Sequence, residues 1–564
     1  MMDIEETIYK YALTNAVEHS NQCQTGSVIG MVMSKNPEMR KDPKTVSMIA
    51  GKMTAKVNKL SPDEQKAELE KYGGVQEHKR ENTKPKGLPE LKNTEDGVVL
   101  RFAPNPSGPL HIGHARAAIL NKLYQEKYGG KLILRIEDTD PKRVDPDAYE
   151  SIVEDIKWLG IEPDEIITQS DRMEIYYEYA VKAIELGAAY MCTCDGGEFK
   201  KLKDSCTPCP CRDNTVEENL KLWNEFDQMK EGEAVLRVKT DINHKNPAIR
   251  DWAAMRLVDE EHPRVGNKYR IYPMMNFSVT VDDHLLGLTH VLRGKDHLAN
   301  SEKQAYLYKH FGWEVPEFIH YGRLKMDDVE LSTSKARAGI ADGTYSGWDD
   351  PRLGTIRAIA RRGIKKEALY ELIEEIGPKQ ADATVSWKKV YGLNRNIIEE
   401  NTNRYFFIPN AVEVDIEDIP DDKVQQTIER ELHYNKPEKG LRKLNFNKTA
   451  YIPKDDYDKA KTSQKPLRLM DLVNIDISKD DIAKYNSYTL EDAQKQKASI
   501  IQWSPTQDAI KAKVVMQDST EIEGYIEADA KDAQVDDIVQ LERFGFARLD
   551  AKTDDELVFY YTHN

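Results

Sequence analysis

Residues 98–136 constrain the fold more than any other stretch. VVLRFA (98–103) has the apolar, β-branched texture of a short strand. A turn built on Pro104, Pro106, Gly108 and Pro109 follows, then HIGHARAAILNKLYQEKYGG, a helix closed by Gly129 and Gly130. KLILRIED supplies a second strand. Strand, helix and strand within about 40 residues make a βαβ unit, and such a crossover makes the two strands parallel. The chain is therefore α/β here, and open sheets of this kind bind ligands beyond the carboxyl ends of their strands. His111 and His114 stand at that edge, so the first helical turn presents both imidazoles on one face. Gly113 leaves room for a purine or ribose against the backbone, and the helix N-terminus favours phosphate.

The rest of the chain divides around this unit. At 564 residues and roughly 150 per domain, three or four domains are expected. With 39% apolar and 32% charged residues the composition is globular and too apolar for wholesale disorder. No run of about 18 apolar residues occurs, so no membrane span is expected. The acidic start MMDIEETIYKYALTNAVEHS argues against a secretory signal and for a cytoplasmic location. Residues 1–95 read as an N-terminal helical domain and linker. Apolar Ile4, Ile8, Tyr11, Ala12 and Ala16 recur at helical steps, Ser61-Pro62-Asp63-Glu64 is a helix start, and 73–97 is polar and rich in Gly, Pro and charge. Residues 96–190 hold the first half of the α/β sheet and 191–287 interrupt its rhythm. The strand-then-helix pattern returns in 288–346, 347–400 is helical, and 401–564 is cut into short apolar runs that suggest a β-barrel region.

The HIGH turn in this setting, followed by LRIEDTDPKR, resembles the class I aminoacyl-tRNA synthetases, and within them the glutamyl/glutaminyl branch. GWDDPRLGTIRAIARRGI (347–364) is similar to the archaeal and eukaryotic type of that branch, in particular to archaeal-type glutamyl-tRNA synthetases. The resemblance implies a Rossmann-type catalytic domain with an inserted acceptor-binding domain, preceded by the helical domain and followed by a β-barrel anticodon-binding region. It implies a ligase that activates L-glutamate with ATP and Mg²⁺ and transfers it to the 3′ end of tRNA(Glu), with tRNA(Gln) a second candidate acceptor. A glutaminyl enzyme of the same architecture and a non-catalytic tRNA-binding paralogue are the rival readings. The N-terminal helices are a candidate surface for tRNA or a protein partner.

The resemblance also assigns residues. His111, Gly113 and His114 belong to the ATP site. The second signature of the family, KMSKS, aligns with Glu330-Leu-Ser-Thr-Ser-Lys335, where Glu330 and Thr333 replace the usual lysines. Ser332, Ser334 and Lys335 remain, and Lys335 is expected to supply the cation that meets the leaving pyrophosphate. Arg101, Asn105, Glu137, Tyr272 and Arg293 fall at the amino-acid pocket: Arg101 for the substrate side chain, Glu137 for its ammonium, Arg293 as the position that separates glutamate from glutamine. A guanidinium pairs a carboxylate through two parallel bonds, and a neutral amide would leave that charge unpaired.

Two further clusters stand out. Five of the six cysteines crowd into 192–211, and the pairs Cys192/Cys194 and Cys209/Cys211 suit a structural, four-thiolate Zn²⁺ in a reducing compartment. Charge is the second. The formal net charge of −16 argues against a polyanionic partner. Yet within the acidic segment 401–564, with 23 basic and 32 acidic residues, Arg442–Arg468 carries eight basic and three acidic residues interleaved with Phe446, Tyr451 and Tyr457. Arg442, Lys443, Lys448, Tyr451 and Lys454 are thus expected to meet single-stranded RNA by backbone charge and stacking.

Overall fold

The computed structural model describes residues 4–18, 22–35, 42–72, 87–327 and 329–564. Most of the expected linker lies outside the described residues. The chain forms two compact units, Met1–Lys86 and Gly87–Asn564.

Among its described residues the first unit holds four helices, α1 (Ile4–Glu18), α2 (Thr25–Lys35), α3 (Pro43–Val57) and α4 (Pro62–Glu70). Ile8, Ala12 and Ala16, at four-residue steps on α1, are buried together with Cys23, Val28, Val32, Val46, Ala50 and Met53. Ser61 starts α4 as a capping box: its hydroxyl accepts from the Glu64 amide, and the Glu64 carboxylate accepts from the Ser61 amide at 2.8 Å.

The second unit opens with β1 (Val98–Phe102), α5 (Ile112–Tyr128), β2 (Gly130–Ile136), α6 (Ala148–Trp158) and β3 (Glu165–Thr168). These strands pair in parallel in the order β1-β2-β3. The interruption that follows is α7 (Met173–Glu185), β4 (Ala189–Cys192), α8 (Gly196–Asp204), α9 (Val216–Glu225), β5 (Val235–Val238), β6 (Ala253–Leu257) and β7 (Ile271–Pro273). Its four strands form a separate antiparallel sheet in chain order. The chain returns through α10 (Met275–Leu285), β8 (His290–Gly294), α11 (Leu298–Phe311) and β9 (Glu317–Tyr321).

Thr289 joins the two halves. Its amide donates to the Val99 carbonyl at 3.1 Å, and its hydroxyl oxygen accepts from the Val99 amide at 2.9 Å. The spatial order is therefore β3-β2-β1-β8-β9. The chain leaves β1 toward one edge and leaves β8 toward the other, so a crevice opens beyond the carboxyl ends of β1 and β8. Arg101 and Arg293 sit near those ends, on β1 and β8 respectively.

After β9 come β10 (Leu324–Met326), α12 (Thr333–Ala341), α13 (Ile356–Arg361), α14 (Lys366–Ile376), β11 (Ala383–Val385) and α15 (Trp387–Ile398). The remainder is β-rich, with seven- and nine-stranded sheets. The two edge strands of the seven-stranded sheet are Asn403–Tyr405 and Phe407–Pro409, separated in the chain by Phe406 alone. A sheet whose opposite edges are consecutive in sequence must curl back on itself, which makes it a near-closed barrel.

Candidate functional site

The HIGH turn is built by main-chain bonds around α5. His111 caps the helix in extended conformation, and its Nδ1 accepts from the Gly113 amide at 3.0 Å. His114 Nδ1 accepts from the His111 amide at 3.3 Å. The imidazoles stack at 3.8 Å between centroids. Burial pushes the His111 pKa down to about 4, and burial with the neighbouring His111 pushes His114 down to about 3. Both rings are thus neutral at pH 7. With each Nδ1 accepting, each Nε2 carries the proton, so the turn offers two uncharged N–H donors. Gly113 has a reason that composition did not reveal: a Cβ there would lie 2.8 Å from His111 Cε1.

The Glu330–Lys335 loop docks against this turn. A Cβ on Gly108 would fall 2.6 Å from the Thr333 methyl. Arg337 on α12 donates to the Ser107 carbonyl at 2.5 Å and to Asp145 at 2.6 Å. Ser332 caps α12, its hydroxyl accepting from the Lys335 amide at 3.4 Å, while its own amide donates to the Glu330 carboxylate at 2.7 Å. The Lys335 ammonium is exposed and 3.3 Å from Glu330. Glu330, which stands where a lysine was expected, therefore acts as a local counter-charge to Lys335.

The crevice between β1 and β8 gathers the remaining pocket residues. Arg101 is buried and donates to the Leu292 carbonyl at 3.0 Å. Arg293 is buried and donates to Gln304 Oε1 at 2.8 Å and to Ser301 Oγ at 3.4 Å. Among the described residues no carboxylate pairs with either guanidinium, and the Nε of each lacks a hydrogen-bond partner, as does the buried Tyr272 hydroxyl. Arg135 differs: it is held by Asp283 at 2.7 Å and by Glu137 at 3.0 Å. Burial outweighs these cations and raises the Glu137 pKa. Burial, reinforced by Arg101, lowers the Arg293 pKa to about 10. Glu137 and Asp283 are the carboxylates that act on Arg293, and both are hydrogen-bonded to Arg135 rather than to Arg293. Asn105 reaches the pocket indirectly, its amide donating to the Glu137 carbonyl at 2.9 Å.

Sequence reasoning missed Ser301, Gln304 and Asn276. Gln304 Nε2 donates to Asn276 Oδ1 at 3.3 Å, so Gln304 links Arg293 to α10. The available signal was polar residues at helical spacing on the buried faces of α10 and α11.

The cysteine cluster converges. Cys192, Cys194, Cys209 and Cys211 place their sulfurs within 4.8 Å of one another, with Cys192–Cys209 at 3.9 Å and Cys194–Cys211 at 3.7 Å. Tetrahedral Zn–S bonds of about 2.3 Å put sulfurs about 3.8 Å apart, so the four thiols fit a zinc ion. Cys206 stands outside the group.

The basic stretch needs correction. Arg442 is fully buried and paired with Glu527 and Glu542. It is an internal ion pair from a strand to the turns that end two others, and cannot reach RNA. Phe446 and Tyr457 are buried, as is Arg468, which donates to the Tyr488 carbonyl at 2.6 Å. Residues Lys454–Ser463 form a helix. The surface lysines have acidic neighbours: Lys443–Glu429 at 3.2 Å, Lys448–Asp415 at 3.0 Å, Lys454–Asp458 at 3.2 Å. The local excess of positive charge seen in sequence is thus largely offset in space. Tyr451 remains half-exposed, its ring stacked on Tyr525 at 4.0 Å. No helix among the described residues is long and apolar enough to cross a membrane.

Comparison with known proteins agrees with this geometry. Residues 97–400 match the catalytic domain of the class I tRNA synthetases (E and Q), and 402–492 and 500–550 match anticodon-binding domains of the same group. The chain is 77% identical to a glutamate–tRNA ligase of Methanosphaera stadtmanae and 60% identical to one of Methanobrevibacter smithii, each covering all of both chains. A solved glutamate tRNA ligase from Elizabethkingia meningosepticum aligns at 25% identity and TM-score 0.40, over 54% of this chain and 70% of that one. With family models covering its catalytic and anticodon-binding regions and relatives up to 77% identical over the full length, the chain belongs to the class I tRNA synthetases of the glutamate and glutamine (E and Q) group.

Proposed function

We propose that this chain is a glutamate–tRNA ligase: it joins L-glutamate to the 3′ end of tRNA(Glu), with ATP converted to AMP and pyrophosphate. One observation carries the choice of glutamate over glutamine. Two buried arginines at the carboxyl ends of β1 and β8 have no carboxylate partner among the described residues. A substrate carboxylate completes that arrangement, and an amide does not. The names borne by full-length relatives support the same reading.

Chemistry in such a site is positioning and charge neutralisation. The α-carboxylate of glutamate attacks the α-phosphorus of ATP and pyrophosphate leaves. The terminal ribose hydroxyl of tRNA then attacks the activated carbonyl and AMP leaves. Arg101 and Arg293 hold the side-chain carboxylate, Glu137 the ammonium, and Tyr272 hydrogen-bonds the bound amino acid. The Nε2–H groups of His111 and His114 donate to ATP phosphate oxygens, with Gly113 keeping the rings in place. Ser332 and Ser334 shape the loop from which Lys335 leaves Glu330 to meet the developing pyrophosphate charge. Mg²⁺ enters with ATP as part of that substrate. Cys192, Cys194, Cys209 and Cys211 would hold a structural Zn²⁺, which ties β4 to the segment before α9 and leaves no open position for chemistry. Lys443, Lys448, Tyr451 and Lys454 face the tRNA anticodon region, their ion pairs being exposed and individually weak. Aminoacylation of purified tRNA(Glu) and tRNA(Gln) with glutamate and with glutamine tests the reading. Charging with glutamine alone, or none with either, overturns it.

A further inference from the structure

Arg293 is held from behind by neutral groups. Its Nη1 donates to Gln304 Oε1 at 2.8 Å and to Ser301 Oγ at 3.4 Å, and no carboxylate pairs with it among the described residues. Gln304 is fully buried on α11. Its amide is directed from both ends: Oε1 accepts from Arg293, and Nε2 donates to Asn276 Oδ1 at 3.3 Å. Asn276 in turn donates to Asn300 Oδ1 at 3.2 Å. Arg135, on β2 across β1 from Arg293, shows the alternative, because two carboxylates bracket it and its charge is compensated internally.

A buried arginine needs its orientation fixed, and either an amide or a carboxylate could do that. The two differ in what they leave for a ligand. A carboxylate behind Arg293 would neutralise it and favour a neutral substrate side chain, whereas an amide fixes the geometry and leaves the positive charge for the ligand. We infer that Gln304 is a specificity-determining positioning residue: by orienting Arg293 through a neutral amide it keeps that charge available, and so sets the pocket for an acidic rather than an amide side chain. This rests on the assignment of Arg293 to the glutamate side chain.

The test uses the full-length enzyme and the variants Gln304→Glu, Gln304→Met and Ser301→Asp, each checked for folding by thermal unfolding. Steady-state aminoacylation is measured with glutamate, glutamine and ATP varied in turn. Gln304→Glu should raise KM for glutamate by about 10- to 100-fold, the scale of a lost charge-assisted bond. It should raise the glutamine-to-glutamate ratio of kcat/KM at least tenfold and leave KM for ATP within twofold. Ser301→Asp, which brings a carboxylate to Arg293 from a different position, should shift the ratio in the same direction even if Gln304→Glu fails to fold. Gln304→Met, which removes the positioning amide without adding charge, should weaken glutamate and glutamine alike and so leave the ratio in place. Folded acidic variants with an unchanged ratio, or a Gln304→Met variant that shifts it equally, would overturn the role of Gln304. Wild-type enzyme that charges no tRNA with glutamate would overturn the pocket assignment instead.

Discussion

Replacing Arg293 with methionine should separate stability from function. Burial lowers the Arg293 pKa from 12.5 to about 10. The folded state therefore holds that proton more weakly than the unfolded state, so the charged side chain opposes folding below pH 10, and the opposition fades as pH rises from 10 toward 12.5. At 1.36 kcal/mol per tenfold the cost is about 3 kcal/mol at neutral pH. Methionine removes it, while Gln304 Oε1 loses its donor at about 1–3 kcal/mol. The two nearly cancel, so unfolding free energy should stay level or rise slightly. Glutamate binding has no such compensation. Losing a bidentate partner for a buried carboxylate costs about 3–5 kcal/mol, which lowers kcat/KM for glutamate by about 100- to 5000-fold. Calorimetry or denaturant unfolding gives the first quantity and steady-state aminoacylation the second. A loss of more than about 2 kcal/mol of stability, or a loss of activity below about fivefold, would refute the reasoning.

Other perturbations address separate parts of the molecule. Lys335→Ala should lower tRNA-dependent ATP–pyrophosphate exchange by about 10-fold or more, the scale of one phosphate-neutralising cation; unchanged exchange would remove Lys335 from the mechanism. His111 and His114, with pKa values of about 4 and 3, should produce no ionisation limb in kcat/KM between pH 6 and 8. The same depression means that their contribution to stability is complete above about 6.5 and is lost as pH falls toward 4 and 3, which acid unfolding profiles of His114→Gln would reveal as a weaker pH dependence. Cys209→Ser should abolish stoichiometric zinc in metal analysis and lower thermal stability; equal metal content in both proteins would reject the four-thiolate site. Arg442→Ala should leave the buried Glu527 without its cation, and Glu542 with Arg430 alone at 3.4 Å, at a cost of about 3–5 kcal/mol of stability in the C-terminal region, whereas replacing the exposed Lys443, Lys448 and Lys454 together should change tRNA affinity and its salt dependence with little effect on unfolding.

Local sequence determined a great deal here. Strand, HIGH turn and helix are contiguous, their signals lie in adjacent residues, and the turn adopts the arrangement its prolines and glycines allow. The α1–α4 periodicities and the Ser61 capping box are likewise short-range. The four cysteines were legible as a group because metal spacing is itself a short-range pattern, although their convergence within 4.8 Å is a tertiary fact. What the sequence could not decide was which charges remain uncompensated, because ion pairs join residues far apart in the chain. Arg442 looked like part of an RNA-facing patch and is internal because Glu527 and Glu542 come from turns some 85–100 residues away, each just past the end of a strand. Arg293 and Arg101 were marked in the sequence only by resemblance, and what physically sets them apart is the lack of a carboxylate partner among the described residues once β8 is placed beside β1. Linear charge counts average over partners that only the folded chain brings within a few ångströms, and Coulomb energies are set by those distances and the local dielectric.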